Sequence, residues 1–594
     1  MRKLALQSCD RMRPDLESTH LKKGDTMKRH TKLFRKVGIS LLASTCLLAA
    51  CGRQSNLKLD TEAVQDVNKA KETASGKDVQ MYDTNRPISE DYSKINENQA
   101  KYVFLFIGDG MGVTPVTAAE NYLGFTKTNK GEIFPDRMNF TEMPIVGLKT
   151  QFDCHSFIPD SASTATAFAG GIKTQTDTVG LSGDFEKSSD TVAEKAKRAG
   201  KSVGIISTVT LNHATPAAFY ANVESRKSYY DIGLQMAETN FDYFAGGSLK
   251  DRTGKEEDQK DLYEIMEENG YTIADTKAEA EKITADSEKV YLVSEKLQDD
   301  GAMPYTLDQE KGDQTLNDMV KKGIEVMEDD PEGFFMMAEA GKIDWAEHAN
   351  DGVTTMHEVY GLQESVQTAI DFYNKHPEDT LIVVTADHST GGFTIGNEST
   401  GYETYFDLLN NQKGSQVEFN QIVETDLASK PDMTFEEFVP KIEDFFGLKL
   451  DANAPSENVS NAQEDAYREA QEKDRLLCSK EEYEELKAAF EESKKEADDQ
   501  NVNYGGYIPV SITATRILNK KAGLAWTTTD HAGEKVPVYA MGAKAKMFDG
   551  EYDDTDVAIR IGEAMGFNPE PSDKHDHAEE KQEKPTGVGL KPNK

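Results

Sequence analysis

The chain is poor in cysteine, tryptophan and positive charge, and it has no apolar run of membrane-spanning length. Five cysteines in 594 residues exclude a disulfide-stapled scaffold, which uses dense bridging to replace a hydrophobic core. Cys9 and Cys46 lie at or before the N-terminal apolar run, so only Cys154 and Cys478 remain as candidates for a bridge, and their pairing stays open. Lysine plus arginine number 67 against 105 aspartates and glutamates, a net charge of −38. A surface of that sign repels a phosphodiester backbone and argues against nucleic-acid binding. The apolar stretch Val37–Ala50 has 14 residues, whereas a bilayer takes about 20.

That short stretch reads instead as an export signal. Met27–Lys36 supplies the basic flank, and the apolar run ends in Leu48-Ala49-Ala50-Cys51-Gly52, which resembles a bacterial lipoprotein cleavage box. Residues 27–50 would then be removed, and Cys51 would carry lipid as the first mature residue. The expected location is outside the cell, on the outer face of the cytoplasmic membrane of a Gram-positive-type surface, with the lipid as the sole membrane contact. Polar residues 1–26 read as an upstream start, residues 51–97 as a flexible tether, and 568–594, with His575 and His577, as a disordered tail.

From about residue 98 short apolar runs alternate with amphipathic stretches. The runs cover 102–107, 202–206, 333–338, 380–385 and 536–541. Continuous apolar runs of that length separated by helical patterns predict buried strands in an α/β domain. The expected architecture is a doubly wound, mostly parallel central sheet with helices on both faces. Candidate functional residues spread from 109 to 531, so one fold must carry them all. Residues 98–400 form its first part and 511–567 its last, around a charged helical insertion at 401–510. The acidic stretch 248–330 reads as a second solvated insertion.

The chemistry sits at the ends of these runs. Asp109, Glu339 and Asp387 each follow or close an apolar run, the edge of a doubly wound sheet where ligands bind. Asp344 and His348 are four apart, so a helix puts both on one face, able to grip one ion. Asp387-His388 and His531 add a carboxylate and two imidazoles, a hard and borderline donor set suited to zinc-type ions. Ser161 opens a small-residue run that can begin a helix, whose N-terminus favours anions. Beside a divalent ion its hydroxyl becomes a nucleophile. Arg226 carries no signal by itself.

These motifs together resemble the bacterial and animal alkaline phosphatases. The matching residues are Gly108-Asp109-Gly110-Met111-Gly112, Asp160-Ser161-Ala162, His213 through Ala218, Glu339 with Asp344 and His348, Thr385 through His388, and Asp530 through Gly533. The resemblance implies two Zn2+ and one Mg2+. Asp344, His348 and His531 would hold the first zinc, and Asp109, Asp387 and His388 the second, with Ser161 as nucleophile. Asp109, Thr215 and Glu339 would hold the magnesium, and Arg226 would fork onto the phosphate of a small monoester. The sequence departs from the enteric-type enzymes at two positions near the third metal, where His213 and Trp345 replace an acid and a lysine. The identity of that metal therefore stays open, as does monomer against homodimer.

Two rival readings compete for the same residues. Sulfatases need a Cys or Ser followed by x-Pro-x-Arg, which Ser161-Ala-Ser-Thr lacks, and phosphodiesterases tend to use threonine without the arginine. A surface lipoprotein that captures phosphate or metal without turnover would need neither a nucleophile nor a water-activating ion.

Overall fold

Valine, isoleucine, leucine and phenylalanine crowd the runs singled out above, and each run becomes a strand buried on both faces. In chain order the main strands are β1 (Tyr102–Gly108), β2 (Ile145–Lys149), β3 (Ser202–Ser207), β4 (Tyr243–Gly246), β5 (Thr272–Ala274), β6 (Val290–Val293), β7 (Phe334–Ala340), β8 (Thr380–Ala386), β9 (Val536–Ala543) and β10 (Gly550–Tyr552). This computed structural model describes residues 92–128, 133, 135–457, 469–471, 473–495 and 507–567. The export signal, Cys51, residues 51–91 of the tether, and the tail with His575 and His577 lie outside the described residues.

The strands form one sheet in the order β10-β2-β9-β8-β1-β7-β3-β4-β6-β5, with Ile95–Asn96 beside β9. From β8 through β5 every neighbouring pair is parallel. β9 runs antiparallel to both β8 and β2, so the last apolar run is a strand of reversed direction within a mostly parallel sheet. Alternate side chains feed two cores. Phe104, Phe106, Met336, Ile382 and Val384 point to one face, which the helices Val113–Leu123, Leu316–Met327 and Gly352–Tyr373 cover. Val103, Leu105, Phe335, Leu381 and Val383 point to the other, covered by Ser161–Gly170, Val192–Arg198 and Thr555–Ala564. Each such side chain contributes about 1.5–3 kcal/mol by leaving water.

Two expectations change. The stretch 248–330 is not a solvated helical insertion, because β5 and β6 extend the main sheet beyond β4. Its short strands are flanked by acidic turns, which hides them in a pattern dominated by surface charge. The 401–510 stretch is helical, with Gln416–Ser429, Phe435–Phe446 and Lys480–Ser493, but it is not merely solvated. Phe419, Phe435, Phe438, Phe446, Tyr483 and Phe490 join the first core, and the buried Lys521–Glu482 pair at 2.6 Å ties it to the helix Pro509–Ala522. Cys154 and Cys478 are free thiols. No helix among the described residues is long and apolar enough to cross a membrane.

Candidate active site

Strand register brings the acids together. Ile107 of β1 lies level with Glu339 of β7 and Thr385 of β8, and Glu339 is level with Ser207 of β3. Asp109 and Asp387 therefore emerge at one carboxyl edge within a step or two of Glu339. The chain then turns from β7 directly into the helix Lys342–His348, which carries Asp344 and His348 on one face as the four-residue spacing requires. His531 arrives on a two-residue ribbon, where it pairs with Thr390 just beyond His388.

Around these backbones the side chains converge. Asp344 Oδ2 is 3.3 Å from His348 Nε2, and its Oδ1 is 3.6 Å from His531 Nε2. The Nε2 atoms of His348 and His531 lie 3.2 Å apart. His388 Nε2 stands 3.2 Å from Asp387 Oδ2 and 3.5 Å from Asp109 Oδ1. Each imidazole is turned by its other nitrogen or its ring face. His531 Nδ1 meets the carbonyl of Pro159 at 2.6 Å, His348 Nδ1 meets the carbonyl of Thr529, and His388 stacks on His531 at 3.7 Å. A fixed Nδ1 partner leaves Nε2 as the ligating nitrogen.

Ser161 does not cap its helix but is the first residue within it; Asp160 is the cap and accepts the Ser163 N–H at 3.0 Å. This places Ser161 Oγ 3.1 Å from His388 Nε2. Asp160 also accepts from Arg226 Nη1 at 2.9 Å, so the acid before the nucleophile aims the guanidinium. Nη2 of Arg226 lies 3.4 Å from His213 Nε2, and the His213 ring packs edge-on against Trp345 at 5.7 Å. Ser161, His213, Arg226, Asp344, Trp345, His348 and His531 line one cavity.

Unpaired acceptors test whether this arrangement suits cations. Both carboxylate oxygens of Asp109, Oε1 of Glu339 and Oγ1 of Thr215 are buried without a hydrogen-bond partner. Buried charge without partners is costly. Burial, reinforced by Asp387, Asp344 and Glu339, pushes Asp109 well above the usual carboxylate range. Burial lifts Glu339 to about 8, with Asp387 adding to the rise. Hard oxygen donors in this state fit a divalent ion. Asp344 with His388 and His531, and Asp109 with Asp387 and His388, each cluster tightly enough to share one ion. His388 thus stands between the two groups, closer to the first than its place in the sequence suggests.

The alkaline phosphatase family profile matches residues 100–567. This chain belongs to that family. Alkaline phosphatase 3 of Bacillus subtilis (strain 168) is 30% identical over 495 residues, covering 82% of this chain and 93% of the relative. Alkaline phosphatase 4 of the same organism is 31% identical over 476 residues, covering 78% and 88%. The solved cold-active alkaline phosphatase of a Shewanella species superposes with a TM-score of 0.61 at 25% identity, covering 78% of this chain and 99% of that one.

Three residues of this alkaline phosphatase escaped the sequence reading. Glu347 is fully buried with neither carboxylate oxygen hydrogen-bonded, and burial, then Asp344, drives its carboxyl far up. It adjoins His348, but a lone glutamate inside a helix gives no signal. Gly110 faces it, with φ of +76° and no room for a Cβ, which would stand 2.6 Å from Glu347 Oε2. Lys149, the buried last residue of β2, donates to the carbonyl of Asp387 at 2.9 Å. Asn350, with φ of +52°, bonds Glu347 O at 3.0 Å and Thr528 O at 2.9 Å and accepts from Arg516 Nε at 2.9 Å.

Proposed function

We propose that the chain hydrolyses phosphate monoesters at alkaline pH through a phosphoserine intermediate, outside the cell. The observation that carries this reading is the meeting of Ser161 Oγ and an aimed Arg226 in one cavity, with Ser161 Oγ 3.1 Å from His388, which itself adjoins the buried, unpaired carboxylate of Asp109. Asp344, His348 and His531 would hold one Zn2+, Asp109, Asp387 and His388 a second, and Asp109, Thr215 and Glu339 an Mg2+. When bound, such ions supply Lewis-acid polarisation and lower the pKa of an oxygen nucleophile.

The protein's own groups do the rest. Arg226, held by Asp160, presents paired N–H donors to two phosphate oxygens. The first turn of the Ser161–Gly170 helix offers backbone N–H groups and the positive dipole end to the same anion. Ser161 gives its hydroxyl proton to solvent hydroxide, Oγ attacks phosphorus in line as the bond to the alcohol oxygen breaks, and the alcohol leaves with a proton from water. A water then attacks the phosphoserine, the Oγ–P bond breaks, one water proton returns to Ser161 Oγ, and inorganic phosphate departs with the other. His213 and Trp345 flank this path, where the enteric-type pattern would place an acid and a lysine.

The lipobox at Cys51 supports anchoring at the outer face of the cytoplasmic membrane, with Cys51→Ser expected to release the protein or leave the precursor uncleaved. The function is tested with p-nitrophenyl phosphate across pH, with chelator and metal analysis. Turnover should stop on chelation and return with zinc plus magnesium. Ser161→Ala should abolish turnover while keeping its metal content. Unchanged turnover in that variant would refute the phosphoserine route.

A further inference from the structure

Arg226 is delivered to the cavity by a strap of backbone laced to a second segment, residues 177–179. Val179 and Val223 exchange both main-chain bonds, at 3.1 Å and 2.9 Å. One step on, Thr178 Oγ1 donates to the carbonyl of Glu224 at 3.2 Å. Asp177 ends the lacing. Its carbonyl accepts the Arg226 N–H at 2.6 Å, and its Oδ2 accepts from Ser225 Oγ at 2.7 Å. Its own N–H donates at 3.1 Å to Asp160 Oδ2, the oxygen that also takes Arg226 Nη1 at 2.9 Å. Asp177 therefore touches the main chain of the arginine, the residue before it, and the acid that aims its guanidinium.

The conformation of Asp177 shows what its side chain adds. It is the third residue of a turn closed by the Thr178 N–H on the Gln175 carbonyl at 3.2 Å, and its φ is +73°. That position of a turn ordinarily selects glycine, which has no Cβ to strain. A left-handed aspartate costs energy, and such strain collects at functional sites. The bonds made by its N–H and C=O would survive a change to glycine. The carboxylate adds one contact that glycine cannot supply, the bond to Ser225.

We propose that Asp177 is a positioning residue for phosphate binding: its carboxylate pins Ser225, and through it the main chain of Arg226, so that the guanidinium keeps its fork toward the phosphate oxygens. This rests on the monoester reading above, in which Arg226 grips the phosphoryl group. A guanidinium on a loosened strap loses the paired geometry that makes arginine–phosphate contacts strong. Because Arg226 meets substrate and released phosphate alike, both should bind more weakly when the pin is removed.

The test reads inhibition by inorganic phosphate beside kcat and KM for p-nitrophenyl phosphate, on protein loaded with zinc and magnesium and with its metal content measured. Asp177→Gly keeps the turn and the main-chain bonds and removes only the carboxylate. It should raise KM and the phosphate inhibition constant about three- to tenfold, the worth of one hydrogen bond, while metal content holds. Ser225→Ala should do the same from the other end, and the two together no more than either alone. Asp177→Asn tolerates the left-handed backbone and still offers Ser225 an acceptor, so it should stay within about twofold of native. The decisive background is Arg226→Ala, in which Asp177→Gly should have no further effect on phosphate. An effect of equal size in that background, or native inhibition in Asp177→Gly itself, overturns the proposal. If Arg226→Ala alone leaves phosphate inhibition unchanged, or the native enzyme does not turn over p-nitrophenyl phosphate, the monoester reading fails and this inference falls with it.

Discussion

Replacing Asn350 by alanine should destabilise the metal-ligating end of the site without touching a candidate ligand. Asn350 follows the helix Lys342–His348 by two residues and is buried. Its amide holds the carbonyl of Glu347 and that of Thr528, three residues before the ribbon that delivers His531. Its Oδ1 receives the Arg516 guanidinium, and its own carbonyl receives Asn519 Nδ2 at 3.0 Å. Alanine removes three side-chain bonds, one of them charge-assisted, each at about 1 kcal/mol or more; the Glu347 carbonyl keeps the Asn350 N–H at 2.9 Å, whereas that of Thr528 loses the Asn350 amide. The left-handed backbone at φ +52° adds about 1 kcal/mol for a residue that lacks the local bonding of asparagine. The total is about 3–5 kcal/mol. Asn350→Gly relieves the backbone but not the bonds, so it should recover only about 1 kcal/mol. Denaturant unfolding of both variants, with and without saturating zinc, reads the effect, and metal titration should show weaker retention at the site of His348 and His531. If Asn350→Ala loses less than about 1 kcal/mol, or if Gly restores native stability, the bonds from Asn350 do not hold the two histidine segments together.

Asp344→Ala or His348→Ala should each remove one bound ion and nearly all turnover, measured by metal content beside p-nitrophenyl phosphate rates; near-native turnover in either would end the zinc assignment. Trp345→Lys, alone or with His213→Asp, should tighten inhibition by inorganic phosphate and lower turnover where product release limits it, because an indole has one donor and no charge to hold a dianion; an unchanged inhibition constant in both would reduce these residues to packing. Burial, with Lys127 nearby, holds the His357 imidazole neutral down to about 4, whereas the unfolded chain protonates it near its ordinary value of about 6.5. The unfolded state therefore binds the extra proton first, and stability should fall by up to about 3 kcal/mol as pH drops from 6.5 to 4. His357→Gln should flatten that part of the stability curve in denaturant titrations run at fixed pH steps.

The parts of this fold that can be read along one line of sequence are those where a local rule has no competitor. β1, β7 and β8 are continuous apolar runs because both faces of a central parallel strand are buried, and an acid at the end of such a run has few reasons to be there other than chemistry. Asp109, Glu339 and Asp387 are legible for that reason, and the spacing of Asp344 and His348 follows from helix geometry alone. Arg226 is legible only through family resemblance, since its position depends on an ion pair with Asp160 from 66 residues away. The strand at Thr272–Ala274 was hidden because an edge strand is short and partly solvated, and Val290–Val293, though buried on both faces, because four residues are too few to stand out from their acidic surroundings. Glu347, Lys149 and Asn350 were hidden for a different reason. Each acts through what lies across it in space, and nothing in the neighbouring residues shows that Glu347 has no donor, that Lys149 ends on the carbonyl of Asp387, or that Asn350 bridges to a loop 178 residues away. Ligands at strand ends announce themselves by contrast with the apolar run before them. The groups that hold those ligands in place show only once the sheet has brought distant segments together, and substitutions there should change metal retention and turnover while the sequence motif of the family stays intact.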